Sequence, residues 1–405
     1  MNRQASAAAG WPRRAPGMTP VKNQAYVWMT VLTMVLSTLL WGIQPAIAAP
    51  QTTAEASGAK AAGAVSGING AGALRSVDAA AASRANAVDA VSRANAAGAV
   101  SRACENLIAK ERQEGALSSW AYVALSAAGR DVRTAGYNRT VSTQSTQAAE
   151  TGDASDTATL IFLLRAGGKN PADYEGRNIV QELLAMQSPS GKFADNRFDG
   201  GERLVNAHIW AILSLTAAGA EWPAESKEKA RQWLQDQQHA DGSFHWDSQN
   251  RTMADVDSTG MALMALAALG ETADRPAVQR AVAYLQSTQE PSGGFASWGA
   301  ENPESIAMVI NALSALGHDP ASAAWHQSGG GPIDALLRFQ RQDGAFTHVS
   351  GGNADEMATF QAILALRAVC DGKPFFVTVA PTPVKTVNPA SQQAVSPATL
   401  LGAAP

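Results

Sequence analysis

Two kinds of helix alternate along the middle of the chain. Residues 225–238 (Glu-Ser-Lys-Glu-Lys-Ala-Arg-Gln-Trp-Leu-Gln-Asp-Gln-Gln) are polar except for Ala230, Trp233 and Leu234, which share one stripe of a helix with a single buried face. Residues 258–269 (Ser-Thr-Gly-Met-Ala-Leu-Met-Ala-Leu-Ala-Ala-Leu) are apolar all round, so that helix must be enclosed by protein. Gly270 closes it, as Gly129, Gly168, Gly219 and Gly317 close its counterparts, because glycine takes the left-handed C-cap conformation without a Cβ clash. The alternation predicts outer helices near 102–112, 139–149, 175–188, 223–239, 275–289 and 331–342. Inner helices are predicted near 117–128, 156–167, 203–218, 256–269, 303–316 and 354–370. Enclosed helices bury every face if they form a ring with the amphipathic ones outside, whereas a linear solenoid would expose one side of them. The expected fold class is all-α: an α/α toroid of six inner and six outer helices.

A fixed period supports this unit. A glycine followed two residues later by phenylalanine recurs at Gly191–Phe193, Gly242–Phe244, Gly293–Phe295 and Gly344–Phe346, spaced 51 residues apart. Each glycine lies four residues after a glutamine: Gln187, Gln238, Gln289 and Gln340. A repeat of this length marks one helix–turn–helix unit per copy. The phenylalanines are expected to tuck beneath the turns.

Composition changes the picture mainly at the ends. The 405-residue chain carries a net charge of −4, which gives no basic footprint for nucleic acid. Arg3, Arg13, Arg14 and Lys22 precede an apolar run from Ala25 to Ile43, and Ala46-Ile47-Ala48 follows as a small-x-small cleavage site. That order predicts a signal peptide over 1–48 and a secreted or cell-surface protein, with a membrane anchor through 25–43 as the alternative. Residues 49–101 are Ala-, Gly- and Ser-rich and are expected to be a flexible, low-complexity linker. The toroid is expected over 102–373, followed by a disordered Pro-rich tail over 374–405. In an oxidising compartment Cys104 and Cys370, which bracket the repeats, are expected to form a disulfide that locks the ring.

Lys229-Ala230-x-x-Trp233-Leu234-x-x-x-Gln238-x-x-x-Gly242-x-Phe244 resembles the glutamine–tryptophan repeat of squalene and terpene cyclases and protein prenyltransferases. Arg280-Ala281-x-x-Tyr284-Leu285-x-x-x-Gln289-x-x-x-Gly293-x-Phe295 matches it again, and the resemblance spans roughly Cys104 to Cys370. The same toroid resembles the large domain of vitamin B12 carriers of the intrinsic factor and transcobalamin type and of their secreted bacterial relatives. The carrier resemblance implies non-catalytic binding, at the ring mouth, of a large, partly apolar ligand (corrinoid- or isoprenoid-like) or of a partner. A second domain or subunit would then sit at the mouth of an otherwise monomeric protein.

The candidate chemistry centres on Asp255-Val256-Asp257-Ser258-Thr259. This is similar to the Asp-x-Asp-Asp-Thr motif with which class II terpene cyclases protonate an alkene. That likeness implies Asp257 as general acid beside Asp255, with Ser258 in place of the third aspartate. The bland reading makes Asp257 a helix N-cap. Ligand binding at the mouth is assigned to Asp257, Ser258, Trp246, Trp298, Glu304 and Glu356. A glycosidase would pair Asp257 with Glu304 or Glu356. Prenyltransferase zinc ligation lacks its cysteine here, and His239 and His245 are poorly spaced, so neither a metal nor a cofactor is expected.

Overall fold

The computed structural model describes residues 70–297 and 299–379, with side chains from residue 90 onward. The expected signal peptide and anchor segment, the tail beyond 379, and Trp298 lie outside the described residues. The chain divides into Met1–Arg84, of which residues 70–84 are helical, and a unit from Ala85 onward that contains the ring.

The helices are α1 (Gly70–Glu114), α2 (Ser119–Ala127), α3 (Ala135–Thr151), α4 (Ala154–Ala166), α5 (Ile179–Leu184), α6 (Val205–Ala217) and α7 (Ala224–Asp236). They continue as α8 (Val256–Ala268), α9 (Pro276–Thr288), α10 (Pro303–Ala315), α11 (Pro332–Leu337), α12 (Glu356–Asp371) and α13 (Phe375–Thr378). Two small antiparallel hairpins, β1 (Ala296–Ser297) with β2 (Ala300–Glu301) and β3 (Phe346–Thr347) with β4 (Ala354–Asp355), lead into α10 and α12. The apolar helices α2, α4, α6, α8, α10 and α12 pack each on the next, and α12 packs back on α2. The ring is closed, as the burial requirement of the inner helices predicts. Among the described residues no helix is long and apolar enough to cross a membrane.

The 51-residue motif is the device that joins neighbouring repeats. Each motif glutamine donates from Nε2 to the carbonyl of its own motif glycine and to a carbonyl of the next outer element. Gln187 reaches Ser226, Gln238 reaches Ala277, Gln289 reaches Trp325 and Gln340 reaches Ala99, each at 2.8 Å. The motif glycines have φ between +88° and +97°. A Cβ on any of them would lie 2.3 Å from the carbonyl oxygen of Lys229, Arg280, Gly330 or Arg102 respectively. Only glycine allows that approach. The four phenylalanines are fully buried, as expected. The Phe244 and Phe346 amides donate to Thr259 and Thr359 Oγ1 at 2.9 Å, fixing turn to inner helix.

In the first copy that acceptor is His208 Nδ1, 3.0 Å from the Phe193 amide, while His208 Nε2–H donates to the Ala230 carbonyl. Both bonds require neutral imidazole, and burial lowers its pKa from 6.5 to about 3. The unfolded chain therefore binds the extra proton first as pH falls below 6.5. The fold is expected to lose on the order of 2 kcal/mol at this site between pH 6.5 and 5. Urea unfolding at the two pH values checks this. His208→Thr should remove that part of the slope, and an unchanged slope would show that the imidazole is not the cause.

Three expectations at the ring's margins are corrected. The element expected to start at 102 begins at Gly70, inside the supposed linker, and Ala96, Ala99 and Val100 are buried. Ala99 and Arg102 are the residues that receive Gln340 and Gly344, so this segment closes the ring. The tail expected from 374 begins with Phe375, Phe376 and Val379, all buried. Finally, Cys104 and Cys370 are free thiols rather than a disulfide. Cys370 Sγ contacts the Arg93 carbonyl on α1 at 3.9 Å. Arg93 lies eleven residues before Cys104, about 16 Å along a helix axis, whereas a disulfide needs Cα atoms within about 7 Å. A thiol titration in denaturant without reductant should count two thiols, and a count of zero would restore the bond.

Candidate active site

All inner helices start at the same end of the ring, and their second residues encircle its mouth: Trp120, Ser155, Asn206, Asp257, Glu304 and Met357. The Trp120 ring meets that of Trp210 at 4.9 Å although α2 and α6 are separated by α4, so these side chains meet through the ring's interior.

Asp255, not Asp257, is the N-cap of α8: its Oδ1 accepts from the Asp257 amide at 3.0 Å and its Oδ2 from the Ser258 hydroxyl. Ser258 is 1% exposed and spends its hydroxyl on this bond, which removes it from the expected ligand-binding set. Asp257 is thereby freed from capping. Its pKa is raised from 3.8 to about 7, first by desolvation and then by the charges of Asp255 and Glu304. Ser297 Oγ donates to Asp257 Oδ1 at 3.3 Å and opposes the shift, as does the neighbouring Ser305 hydroxyl. The helix N-terminus also favours the anion by roughly 0.3–2 kcal/mol. Burial and like charge outweigh these effects, so a large share of Asp257 is protonated at neutral pH. Ser258 occupies the third-aspartate position of the motif, and Glu304 supplies the second neighbouring carboxylate from the equivalent position of the next inner helix.

Glu304 is 7% exposed, and its Oε2 meets His348 Nδ1 at 3.0 Å. Burial raises the Glu304 pKa while His348 holds it down, and Glu304 raises that of His348. Glu304 Oε1 has no hydrogen-bond partner. Trp246 is half-buried at the same end, with its carbonyl accepting from Val205 at 2.8 Å and its indole N–H unpaired. Glu356, the first residue of α12, sits at the rim and is engaged by the protein itself: it accepts from the Ser118 amide and pairs with Lys110.

Sequence reasoning missed His348 and Ser297, although the repeat held a signal for them. The residue two places after each motif phenylalanine reaches back to the preceding inner helix. The Asp195 carbonyl meets Ala154 and Trp246 meets Val205, while Ser297 meets Asp257 and His348 meets Glu304. Also missed was an aromatic cluster of Trp120, Phe162, Trp210 and Phe375, whose ring contacts range from 4.9 to 6.4 Å. In a six-membered ring α2 lies opposite α8, so the helices bearing Trp120 and Asp257 start on opposite sides of the mouth. Between the start of α8 and the end of outer helix α9 a groove of about 540 Å³ is lined by Met253, Asp255, Val256, Tyr284, Thr288 and Ser297, with Asp257 outside its lining.

The sequence matches the prenyltransferase alpha-alpha toroid domain over residues 133–316 and 202–374. Drimenyl diphosphate synthase of Streptantibioticus cattleyicolor is 30% identical over 229 residues, covering 53% of this chain and 41% of that protein. Drimenyl diphosphate synthase of Streptomyces showdoensis is 34% identical over 129 residues, covering 32% and 23%. The chain thus spans less than half the length of these curated relatives. A variant of the type II terpene cyclase MstE from Scytonema, in complex with geranylgeranyl dihydroxybenzoate, superposes with a TM-score of 0.50 at 14% identity, over 69% of this chain and 99% of that one. At that identity the likeness is one of fold. The curated relatives are synthases, which overturns the expected non-catalytic carrier and favours the cyclase alternative.

Proposed function

Since the chain belongs to the prenyltransferase alpha-alpha toroid domain family, we propose that it is an enzyme, a class II-type terpene cyclase in which Asp257 protonates an alkene of a linear isoprenoid. The observation that carries this reading is the Asp257 carboxyl, pushed up to about 7 at the ring mouth, with the helix that bears Trp120 starting on the opposite side. Protonating a carbon–carbon double bond needs an acid that still holds its proton when substrate arrives, and burial beside Asp255 and Glu304 provides that. It also needs a tolerable conjugate base. The α8 N-terminus and the Ser297 hydroxyl stabilise the carboxylate once the proton has left.

In the proposed step the Asp257 O–H bond breaks and the alkene π pair takes the proton as a new C–H bond. The resulting cation is attacked by the next π bond of the same chain, which closes a ring. Loss of a proton ends the sequence, so the product is an isomer of the substrate. The faces of Trp120 and Trp210 are half-buried and supply the cation–π surface such a path requires. Overall aromatic content is only 6%, but the cluster concentrates it in the ring interior. A single toroid is no obstacle to this reading, since nearly all of the superposed type II cyclase is matched by this one chain.

Incubation with squalene, geranylgeraniol or geranylgeranyl diphosphate, followed by gas chromatography and mass spectrometry, is expected to give cyclic isomers of unchanged skeletal mass from at least one. Recovery of every substrate in linear form would overturn the assignment.

A further inference from the structure

The loops that feed the inner helices give the mouth a strong charge. Segments 116–121, 151–156, 194–207, 245–258, 296–305 and 347–358 together hold twelve carboxylic residues and three arginines. With Asp257 protonated these segments alone carry an excess of eight negative charges. Lys192, Lys110 and Arg338 from outside them pair with Asp195, Glu356 and Glu301, which leaves an excess of five on a protein whose net charge is −4. The three arginines, already counted in this excess, are all engaged with protein groups. Arg203 is spent on Asp247, Arg197 pairs with Glu182, and Arg251 donates to the Asp236 carbonyl and Gln237.

Six helix N-termini bring roughly +0.5 charge each to this end, about +3 in all, and would otherwise favour an anion. Four are already capped, by Ser118, Asp255, Asn302 and Asp355, each accepting from its own helix. The carboxylates therefore win. An independent observation comes from unpaired polar atoms at the mouth. Glu304, more than nine-tenths buried, leaves Oε1 without a partner, as Asn206 leaves Oδ1 and Trp246 leaves its indole N–H. Two acceptors and one donor suit a hydroxyl, which both gives and takes a hydrogen bond. A diphosphate answers only the donor, meets like charge at Glu304 and offers no proton to the neutral Asn206 amide oxygen.

We infer that the substrate of this site is an uncharged, hydroxyl-bearing linear isoprenoid rather than its diphosphate. The inference rests on the cyclase reading for its chemistry, but its test does not. Binding of geranylgeraniol and of geranylgeranyl diphosphate, with and without Mg²⁺, is measured on the full chain by quenching of tryptophan fluorescence. Half-exposed Trp120, Trp210 and Trp246 report on the mouth against a background from the other seven of the chain's ten tryptophans. The alcohol is expected to bind at least ~10-fold more tightly at low salt, with the gap narrowing as salt screens the mouth. Glu304→Gln, which removes one charge and turns an acceptor partly into a donor, should reduce the preference several-fold. Equal or tighter binding of the diphosphate, or quenching by neither compound, would overturn the inference. Cyclisation of the diphosphate alone would sink the inference and keep the cyclase. Selective binding of the alcohol without turnover would do the reverse.

Discussion

Asp257→Asn is expected to lower cyclisation by about 10³-fold or more while making the protein more stable at alkaline pH. The activity loss follows because an amide has no acidic proton for the alkene, and a positioned acid contributes typically 10²–10⁴-fold. The stability gain follows from the direction of the shift. The folded carboxyl titrates near 7, the unfolded one near 3.8. Its favourable contribution is complete below the lower value and is lost as pH rises through the upper one. At pH 8 the wild type holds a poorly solvated anion beside Asp255 and Glu304, and asparagine removes it. Because Asp257 is partly exposed, the gain is on the order of 2 kcal/mol, well below the full shift, and it should vanish near pH 4. Denaturant unfolding at pH 4.5 and 8, alongside turnover, reads both effects. A destabilised, inactive variant at pH 8 would indicate that Asp257 merely holds the helix together.

Gly344→Ala is expected to cost about 3 kcal/mol or more and to loosen ring closure. Two penalties add at this site. The φ of +88° is unfavourable for alanine by roughly 1–2 kcal/mol. The new Cβ would also lie 2.3 Å from the Arg102 carbonyl, so the first outer helix must move off the last repeat. Gly270→Ala is the control. Its φ is +92°, yet a Cβ there meets nothing within 4 Å, so only the conformational penalty applies. Equal losses in the two variants would mean that the close approach to α1 carries no energy.

Much of this architecture was legible in the sequence for a specific reason. Enclosed helices such as α8 are apolar on every face, which fixes their place at once, and the Gln–Gly–Phe spacing repeats because each glycine touches the next outer element. What escaped notice lacks that signature. The inward face of α1 is built from Ala96, Ala99 and Ala103, which pack closely without the bulk that marks a core position. Phe375 and Phe376 look incidental beside a run of prolines, and only the ring interior gives them partners. At the site, Asp255 and Asp257 are two residues apart and equally plausible caps by sequence. Helix geometry separates them, assigning the cap to the first and the mouth to the second. The cysteine pairing failed on axial level: ring closure brought the right helices together with the two residues at different heights.

The central claim, that Asp257 delivers a proton to carbon, is tested most directly by turnover in D₂O. The full chain is offered squalene, geranylgeraniol and geranylgeranyl diphosphate separately, and each product is analysed by mass spectrometry. The acid exchanges with solvent before each turnover, so the account predicts a cyclic product carrying one non-exchangeable deuterium at the carbon that was protonated, and none of that product from Asp257→Asn. A cyclic product without deuterium, or the same labelled product from Asp257→Asn, would contradict it.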